Sequence, residues 1–198
     1  VHFEETGLDL LSLSGHKLYG PKGIGVMVVR SGTPWIPTIT GGSQERRRRG
    51  GTSNIPGIVG LQKAMELTIA EMDEHRAHFL NLRRRMLEQL HQAFGDHVQI
   101  NGPSEGSEGG VPHILNIGIT SDSNSVIDSE MLLLNLDIED VCVSNGSACT
   151  SGAVEPSHVL TGIGLDEAVA NASIRISFGK ANTAEQVDAF IPKLKSVL

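Results

Sequence analysis

The sequence contains little cysteine, few aromatic residues and no long apolar run. Its 198 residues include only two cysteines, Cys142 and Cys149, which are too few for a disulfide framework. No stretch reaches the roughly 20 consecutive apolar residues of a membrane-spanning helix, and no charged-then-apolar leader is found. These absences predict a reducing, cytoplasmic setting and no membrane partner.

Basic charge is also scarce. The chain has 16 Lys and Arg against 23 Asp and Glu, a net charge of -7 and a pI near 5.6. A nucleic acid is therefore not expected as a partner, because a phosphate backbone attracts a basic surface. With 39% hydrophobic residues, the chain can bury the core of one large domain or two small ones.

Two apolar segments near the start predict strands on either side of a turn. "LDLLSLS" (8–14) alternates leucine with serine, as in a strand with two different faces, whereas "GIGVMVV" (23–29) is nearly continuous and predicts a buried strand. After Pro56, apolar residues recur at helical spacing and predict a long helix that is interrupted or bridges two domains. They are Ile58, Leu61, Met65, Ile69, Met72, Phe79, Leu82, Met86 and Leu90.

The second half mixes short strands and helices, which is typical of a compact α+β unit. We expect strands at "HVQI", "HILNIGI" and "DVCVS" and a helix around "VIDSEMLLLNL". The final segment predicts an amphipathic helix capped by Thr183 with Gln186 three residues later, and Pro192 is expected to kink it.

The turn between the first two strands carries the strongest chemical signal. A nucleotide P-loop is excluded, because no hydroxyl follows Lys22 and the next element is a strand rather than a helix. Lys22 is interpreted as a solvated surface lysine. Lys17 follows a strand and stands beside Ser14 and His16, a hydroxyl and an imidazole that can hold an anion. This arrangement suits a lysine that forms a Schiff base.

The two cysteines have different surroundings. Cys142 lies between Val141 and Val143, so we expect a small buried hydrophobe on a strand. Cys149 lies among small residues in "SNGSACTSGAVEPSHVL", where an exposed thiol on a mobile loop is a candidate nucleophile. From the residues alone, the nucleophilic and structural interpretations of Cys149 have about equal support.

Arginines and histidines supply three weaker candidates. In "SIRISFGK", Arg175 lies on the polar side of a strand, where its planar guanidinium could bind a carboxylate or form a structural ion pair. The arginine run 46–49 is expected to be a solvated face, although it leads into a glycine turn with Thr52 that could approach an anion. His75 and His78 could share a metal, but surface histidines are the preferred interpretation.

Taken together, "SLSGHKLYGPKGIG", "GGSQERRRRGGT", "SNGSACTSGAVEPSHVL" and "SIRISFGK" resemble successive signatures of the pyridoxal-phosphate-dependent cysteine desulfurases of the class-V aminotransferase family, in the group with the longer, mobile cysteine loop. The resemblance covers essentially the whole chain. One departure is Gln44, which stands where the "GGGHER" version of the motif has histidine.

The resemblance implies a role for each matching residue. Lys17 corresponds to the lysine that holds pyridoxal 5'-phosphate, and Ser14 and His16 to residues that bind the cofactor phosphate. Thr52 corresponds to the threonine that reaches the phosphate of the neighbouring subunit in a homodimer. By the same resemblance, the substrate carboxylate is bound by Arg175 and the sulfur of the substrate is accepted by Cys149.

The resemblance also implies an α/β architecture, the C-terminal part of the fold-type I transferase fold. Residues 1–57 would complete the large cofactor-binding domain, 58–94 would be a long linking helix region, and 95–198 a small α+β domain with the cysteine loop. The family's aspartate, glutamine and histidine around the cofactor ring lie upstream of the lysine motif and find no match here. We therefore expect a C-terminal half that is inactive without its N-terminal half.

The implied activity is conversion of L-cysteine to L-alanine, with a persulfide on Cys149 that passes to an iron-sulfur scaffold or another acceptor protein. Two alternatives stay open. Another pyridoxal-phosphate lyase or aminotransferase would need Lys17 and Arg175 but not Cys149. A non-catalytic fragment derived from a desulfurase would retain the fold without binding the cofactor.

Overall fold

The structure is a computed structural model that describes residues 2–103, 110–120, 127–145 and 156–198. The chain divides into two compact units, Val1–Met72 and Asp73–Leu198. The division falls inside the predicted linking region 58–94, and the boundaries expected at 57 and 94 stay predictions. Each unit is described below by itself.

The first unit has two strands and two α-helices, with short 3₁₀ helices at Phe3–Thr6 and Gly15–Leu18. These elements are β1 (Leu10–Ser14), β2 (Gly25–Val29), α1 (Gln44–Arg47), a single turn in which Glu45 and Arg46 lack α-helical dihedrals, and α2 (Ile55–Ala70). The helix α2 begins where expected, because Asn54 caps it by accepting a hydrogen bond from the Gly57 N–H and Pro56 occupies its first turn.

The strands β1 and β2 form an antiparallel two-stranded sheet in which Ser12 faces Met27. Both predicted strands are confirmed, and in this chain each of them leaves apolar side chains exposed. Leu10 is 43% exposed and Met27 is 46% exposed. A continuous apolar run is buried only when layers cover both faces of its sheet, and within this unit β2 pairs with β1 alone.

The helix α3 (Met72–Phe94) lies in the second unit apart from its first residue. The predicted interruption of the long helix is confirmed at Glu71, which ends α2 with non-helical dihedrals. The remaining elements are a 3₁₀ turn at Gly95–His97, β3 (Val98–Asn101), β4 (Ile114–Ile119), α4 (Ser129–Ile138), α5 (His158–Gly162), α6 (Glu167–Asn171), β5 (Ser173–Ser177) and α7 (Ala184–Val197).

Three antiparallel strands in the order β3-β4-β5 form the sheet of this unit. One face of the sheet packs with α3, α4 and α7 into a single apolar core, which confirms the predicted α+β unit. Its fully buried side chains each contribute about 1.5–3 kcal/mol to stability. They include Leu90, Leu115, Ile117, Leu136, Ile174 and Leu194.

The C-terminal helix α7 has the predicted capping box, since Thr183 accepts from the Gln186 N–H and the Gln186 side chain accepts from the Thr183 N–H. Pro192 lies inside α7, and the helix continues to Val197. Among the described residues, no helix has the length and apolar character needed to cross a membrane.

The segment "DVCVS" departs from expectation. Residues 141–143 form no strand, and only Ser144 makes an isolated antiparallel bridge, to Arg175. The side chains of Val141 and Val143 pack against the core, whereas Cys142 is exposed. The prediction of a buried Cys142 is therefore wrong, because in an extended segment the middle residue points away from the face that its two neighbours bury.

Candidate functional site

The lysine turn, residues 14–25, is a closed loop between β1 and β2. The N–H of Gly15 donates to the carbonyl of Ile24 at 2.9 Å, and the N–H of Gly20 donates to the carbonyl of Gly15 at 3.0 Å. These bonds fold the segment into the 3₁₀ turn Gly15–Leu18 immediately after β1. The turn presents Lys17 as an exposed side chain next to a fixed backbone.

Glycines let the lysine turn approach α2 closely. A Cβ on Gly20 would lie 3.0 Å from the Cβ of Ala64, and a Cβ on Gly60 would lie 2.6 Å from Cγ of Pro21. Either contact is tighter than normal carbon packing, so only glycine fits without displacement. The position of the turn is therefore set by its packing against α2, which no short-range pattern in the sequence indicates.

Ser14 and His16 form a polar pair within this turn. Their Oγ and Nδ1 atoms lie 2.9 Å apart, with donor and acceptor roles that depend on the histidine tautomer. Residues 14–25 contain two lysines and no acidic residue. A hydroxyl, an imidazole and a primary amine on one exposed turn suit an anion that also carries an aldehyde: the first two can bind phosphate oxygens, and the amine can react with the aldehyde.

The loop before Thr52 is conformationally unusual. Glu45, Arg46 and Arg47 all adopt left-handed backbone, with φ of 49°, 56° and 65°, at a cost of about 1 kcal/mol or more per residue. Thr52 is exposed, as are the four arginines of the run 46–49, which confirms the predicted solvated face. The loop borders a hollow of about 270 Å³ lined by Pro37, Ile39, Thr40, Gly41, Gly42, Ser43, Arg47 and Gly50.

Gln44 folds back over this glycine loop. Its Oε1 atom is buried and has no hydrogen-bond partner among the described residues. A Cβ on Gly42 would lie 2.7 Å from that oxygen, so the glycine makes room for the amide. The structure thus places the Gln44 amide against Gly42, on the loop that borders the hollow.

Arg175 lies in β5 between two extended neighbours. On one side it pairs with Asn116 of β4, and on the other its backbone N–H and carbonyl bond to Ser144. The side chain is half-buried and its Nε atom is fully buried. This confirms that Arg175 lies within a sheet rather than on a frayed surface, so its guanidinium is held by a rigid backbone.

A set of hydrogen-bonded residues that was not predicted lies on the same face of the sheet as Arg175. Asn101 donates from Nδ2 to Oδ1 of Asn116 at 2.7 Å and to Oγ of Ser173 at 2.9 Å. Ser173 in turn donates to the carbonyl of Val169 at 2.6 Å. The signal was present in "HILNIGI", where Asn116 and Gly118 alternate with core residues and so share the face opposite the core.

The remaining candidates are placed as follows. Cys149 lies outside the described residues. His75 and His78 are half-buried against the ring of Phe79, with centroid distances of 6.0 and 5.8 Å, so the expectation of surface histidines is only partly right. In the described part of the chain, no three His, Cys, Asp or Glu side chains form a group that could hold a metal.

The structure brings Ser14, His16 and Lys17 together in one turn, and Thr52 belongs to the same unit. Arg175 belongs to the second unit, where the sheet and not the lysine turn determines its position. The positions of the candidate residues are therefore set by the packing of two different units.

Known proteins resemble this chain along its whole length. The family model described as aminotransferase class-V matches residues 1–190. A cysteine desulfurase IscS of Dictyoglomus turgidum is 40% identical over all of this chain and 48% of its own length. A putative cysteine desulfurase IscS 1 of Bacillus subtilis is 44% identical over 94% of the chain and 47% of its own length.

Solved structures agree. A NifS-like protein superposes with a TM-score of 0.82 at 35% identity, covering 98% of this chain and 47% of its own. A NifS-like protein from Rickettsia africae gives a TM-score of 0.80 at 30% identity, with 96% and 48% covered. The chain thus spans about half the length of the relatives it matches.

Proposed function

Because this chain belongs to the class-V aminotransferase family, whose members depend on pyridoxal phosphate, we propose that it is half of a cysteine desulfurase that converts L-cysteine to L-alanine. The family and the fold-type I architecture expected from the sequence are confirmed by these matches. The observation that carries the proposal is the lysine turn, in which an amine, a hydroxyl and an imidazole share one closed loop.

In this function, Lys17 would hold the cofactor through its amine. Ser14 and His16 donate hydrogen bonds to the cofactor phosphate, and the absence of acidic residues in the turn avoids repulsion of that phosphate. When bound, the cofactor withdraws electron density from the α-carbon of the substrate. The amine of Lys17 would hold and return the proton at the α-carbon of the substrate.

Arg175 binds the carboxylate of L-cysteine in this proposal. A guanidinium offers parallel N–H donors that match the two oxygens of a carboxylate. The pairing of β5 with β4 and with Ser144 keeps the Arg175 backbone in place. The substrate is thereby oriented before any bond is broken.

Cys149 accepts the sulfur atom. Its thiolate attacks the substrate sulfur, the new S–S bond forms as the carbon–sulfur bond of L-cysteine breaks, and the carbon gains a proton to give L-alanine. The products are L-alanine and a persulfide on Cys149. The persulfide sulfur then passes to an iron-sulfur scaffold or another acceptor protein.

Activity in this proposal needs more than this chain. Because the chain spans about half of its relatives, the other half of their length would complete the cofactor site. The active form would be a homodimer in which Thr52 reaches the phosphate in the neighbouring subunit. The exposed apolar side chains of β1 and β2, Leu10 and Met27, would be covered by the rest of the large domain. We assign this enzyme to the cytoplasm.

The test uses the full-length enzyme loaded with pyridoxal phosphate. Borohydride reduction followed by peptide mass spectrometry is expected to find the cofactor on Lys17; attachment at Lys22 would contradict the assignment. Cys149→Ser is expected to keep the spectral change on adding L-cysteine but to form no persulfide, while Cys142→Ala is the matched control with normal turnover. Sulfide release that survives in Cys149→Ser would favour a lyase instead.

A further inference from the structure

A row of polar side chains crosses the sheet of the second unit. Asn101 pairs with Asn116, Asn116 pairs with Arg175, and Arg175 is bridged to Ser144. Directly opposed residues of antiparallel strands share a face, with Cβ atoms about 5 Å apart. The four side chains therefore form one line on the face opposite the apolar core, and Asn116 is the immediate neighbour of Arg175.

Hydrogen bonds fix the direction of the two amide groups in the line. The carbonyl of Val169 lies in the last turn of α6, where carbonyls lack a helical donor, and it receives the only hydroxyl proton of Ser173. Ser173 can then only accept from Asn101. Asn101 must turn its NH₂ group toward Ser173, and the second hydrogen of that group is donated to Oδ1 of Asn116.

This orientation of Asn101 leaves one buried polar atom without a hydrogen bond in the described part of the chain, which costs free energy. Oδ1 of Asn101 is buried and has no hydrogen-bond partner among the described residues, while the residue as a whole is only 8% exposed. Reversing the amide would place its oxygen against the oxygens of both Ser173 and Asn116. The donated bonds therefore outweigh the unsatisfied carbonyl, and the orientation of Asn101 is determined.

The consequence lies at Asn116. Its oxygen is used by Asn101, so the group it offers elsewhere is its NH₂. Beside the Arg175 guanidinium, which has donors only, the amide adds another donor and no competing acceptor. Two adjacent donor groups, one of them cationic, favour a planar anion with two acceptor oxygens.

We propose that Asn116 is a second binding residue for the substrate carboxylate, donating from Nδ2 next to Arg175, with Asn101 and Ser173 as positioning residues. The inference rests on the proposed function, in which Arg175 binds that carboxylate. It names a specificity determinant on β4 in addition to the arginine on β5.

The test compares two ligands with the full-length holoenzyme. S-methyl-L-cysteine cannot lose its sulfur as the thiol does, and 2-(methylthio)ethylamine is the same molecule without the carboxylate. Their dissociation constants are measured from the change in cofactor absorbance. Asn116→Asp replaces the NH₂ group by an oxygen of nearly equal size. This variant is expected to raise the dissociation constant of S-methyl-L-cysteine about 10- to 100-fold and to leave the dissociation constant of 2-(methylthio)ethylamine unchanged.

Three further variants separate the possible outcomes. Asn116→Ser retains a hydrogen-bond acceptor for Asn101 but has a shorter side chain, which cannot reach the carboxylate. It should show the same selective loss of S-methyl-L-cysteine binding, and it replaces the aspartate variant if that variant does not fold. Asn101→Ala should show a smaller selective loss, because Asn116 is then free to turn. Gln99→Ala, an exposed change on the same sheet face, is the control without effect.

Arg175→Ala distinguishes this inference from the proposed function. If Arg175→Ala does not selectively weaken the binding of S-methyl-L-cysteine, the proposal that Arg175 binds the carboxylate is wrong. If Arg175→Ala shows the selective loss but neither Asn116 variant does, only the role of Asn116 is refuted. If the Asn116 variants weaken the binding of both ligands equally, the role of Asn116 in carboxylate binding is likewise refuted.

Discussion

Gly60→Ala tests how tightly α2 holds the lysine turn. A Cβ at position 60 would lie 2.6 Å from Cγ and 3.2 Å from Cδ of Pro21. Carbon atoms pack at about 3.5–4.0 Å, so the ring must move by roughly 1 Å. The proline ring cannot rotate out of the way, and it lies four residues after Lys17 in the same closed turn. The displacement is therefore expected to reach the lysine.

Two opposing effects set the magnitude. Replacing glycine by alanine inside a helix favours folding by about 1 kcal/mol. Overpacking against a rigid ring costs about 1–3 kcal/mol. The variant should thus range from unchanged to about 2 kcal/mol less stable. Activity is more sensitive, because a misplacement of about 1 Å can lower the rate by about 100-fold.

On the proposed function, the assay measures kcat/KM for L-cysteine, cofactor absorbance and thermal unfolding of the full-length enzyme. The matched control is the double variant Gly60→Ala with Pro21→Ala, which removes the ring atoms that the new methyl would meet. We expect the double variant to recover most of the lost activity. A single Gly60→Ala enzyme with full activity and about 1 kcal/mol of added stability would refute the close contact.

Two other predictions concern stability. Arg85 donates two hydrogen bonds to Asp188 and lowers the pKa of this carboxyl to about 2. The lowered pKa means that the stabilisation is present above the ordinary value of 3.8 and is lost as the pH falls toward 2. The urea unfolding midpoint should therefore fall less between pH 4 and pH 2 in Asp188→Asn than in the unmodified protein. An equal fall in both proteins would contradict the ion pair. Leu194→Ala, at a site with 0% exposure, should cost about 2–5 kcal/mol in urea unfolding, whereas Leu198→Ala at 51% exposure should cost less than about 0.5 kcal/mol; equal losses would contradict the core assignment.

Local chemistry explains most of the successful predictions. The predicted capping box at Thr183 depends on a residue three positions later, and a helix face repeats within four residues. Such features are decided within one or two turns of chain. The lysine turn was likewise recognisable from its contiguous residues Ser14, His16 and Lys17.

Alternation in the sequence was less informative, because it shows which residues share a face but not what covers that face. The Val-Cys-Val pattern was compatible with a strand that buries cysteine and with an extended segment that exposes it, and the exposed arrangement is the one found. The apolar run of β2 similarly favours a buried strand, but its burial depends on what covers it, and in this chain Met27 is 46% exposed. Burial depends on elements that are distant along the chain.

The sequence by itself therefore determined the family, the starts of α2 and α7 and the residues of the lysine turn, since these rest on motifs and short-range periodicity. Only the tertiary structure decided the neighbours of Arg175. Asn101 and Ser173 are 72 residues apart, and their contact exists because β4 lies between β3 and β5 in a particular register. Register is a property of strand pairing, and a shift by one residue would turn Asn116 into the core and a leucine or isoleucine toward Arg175.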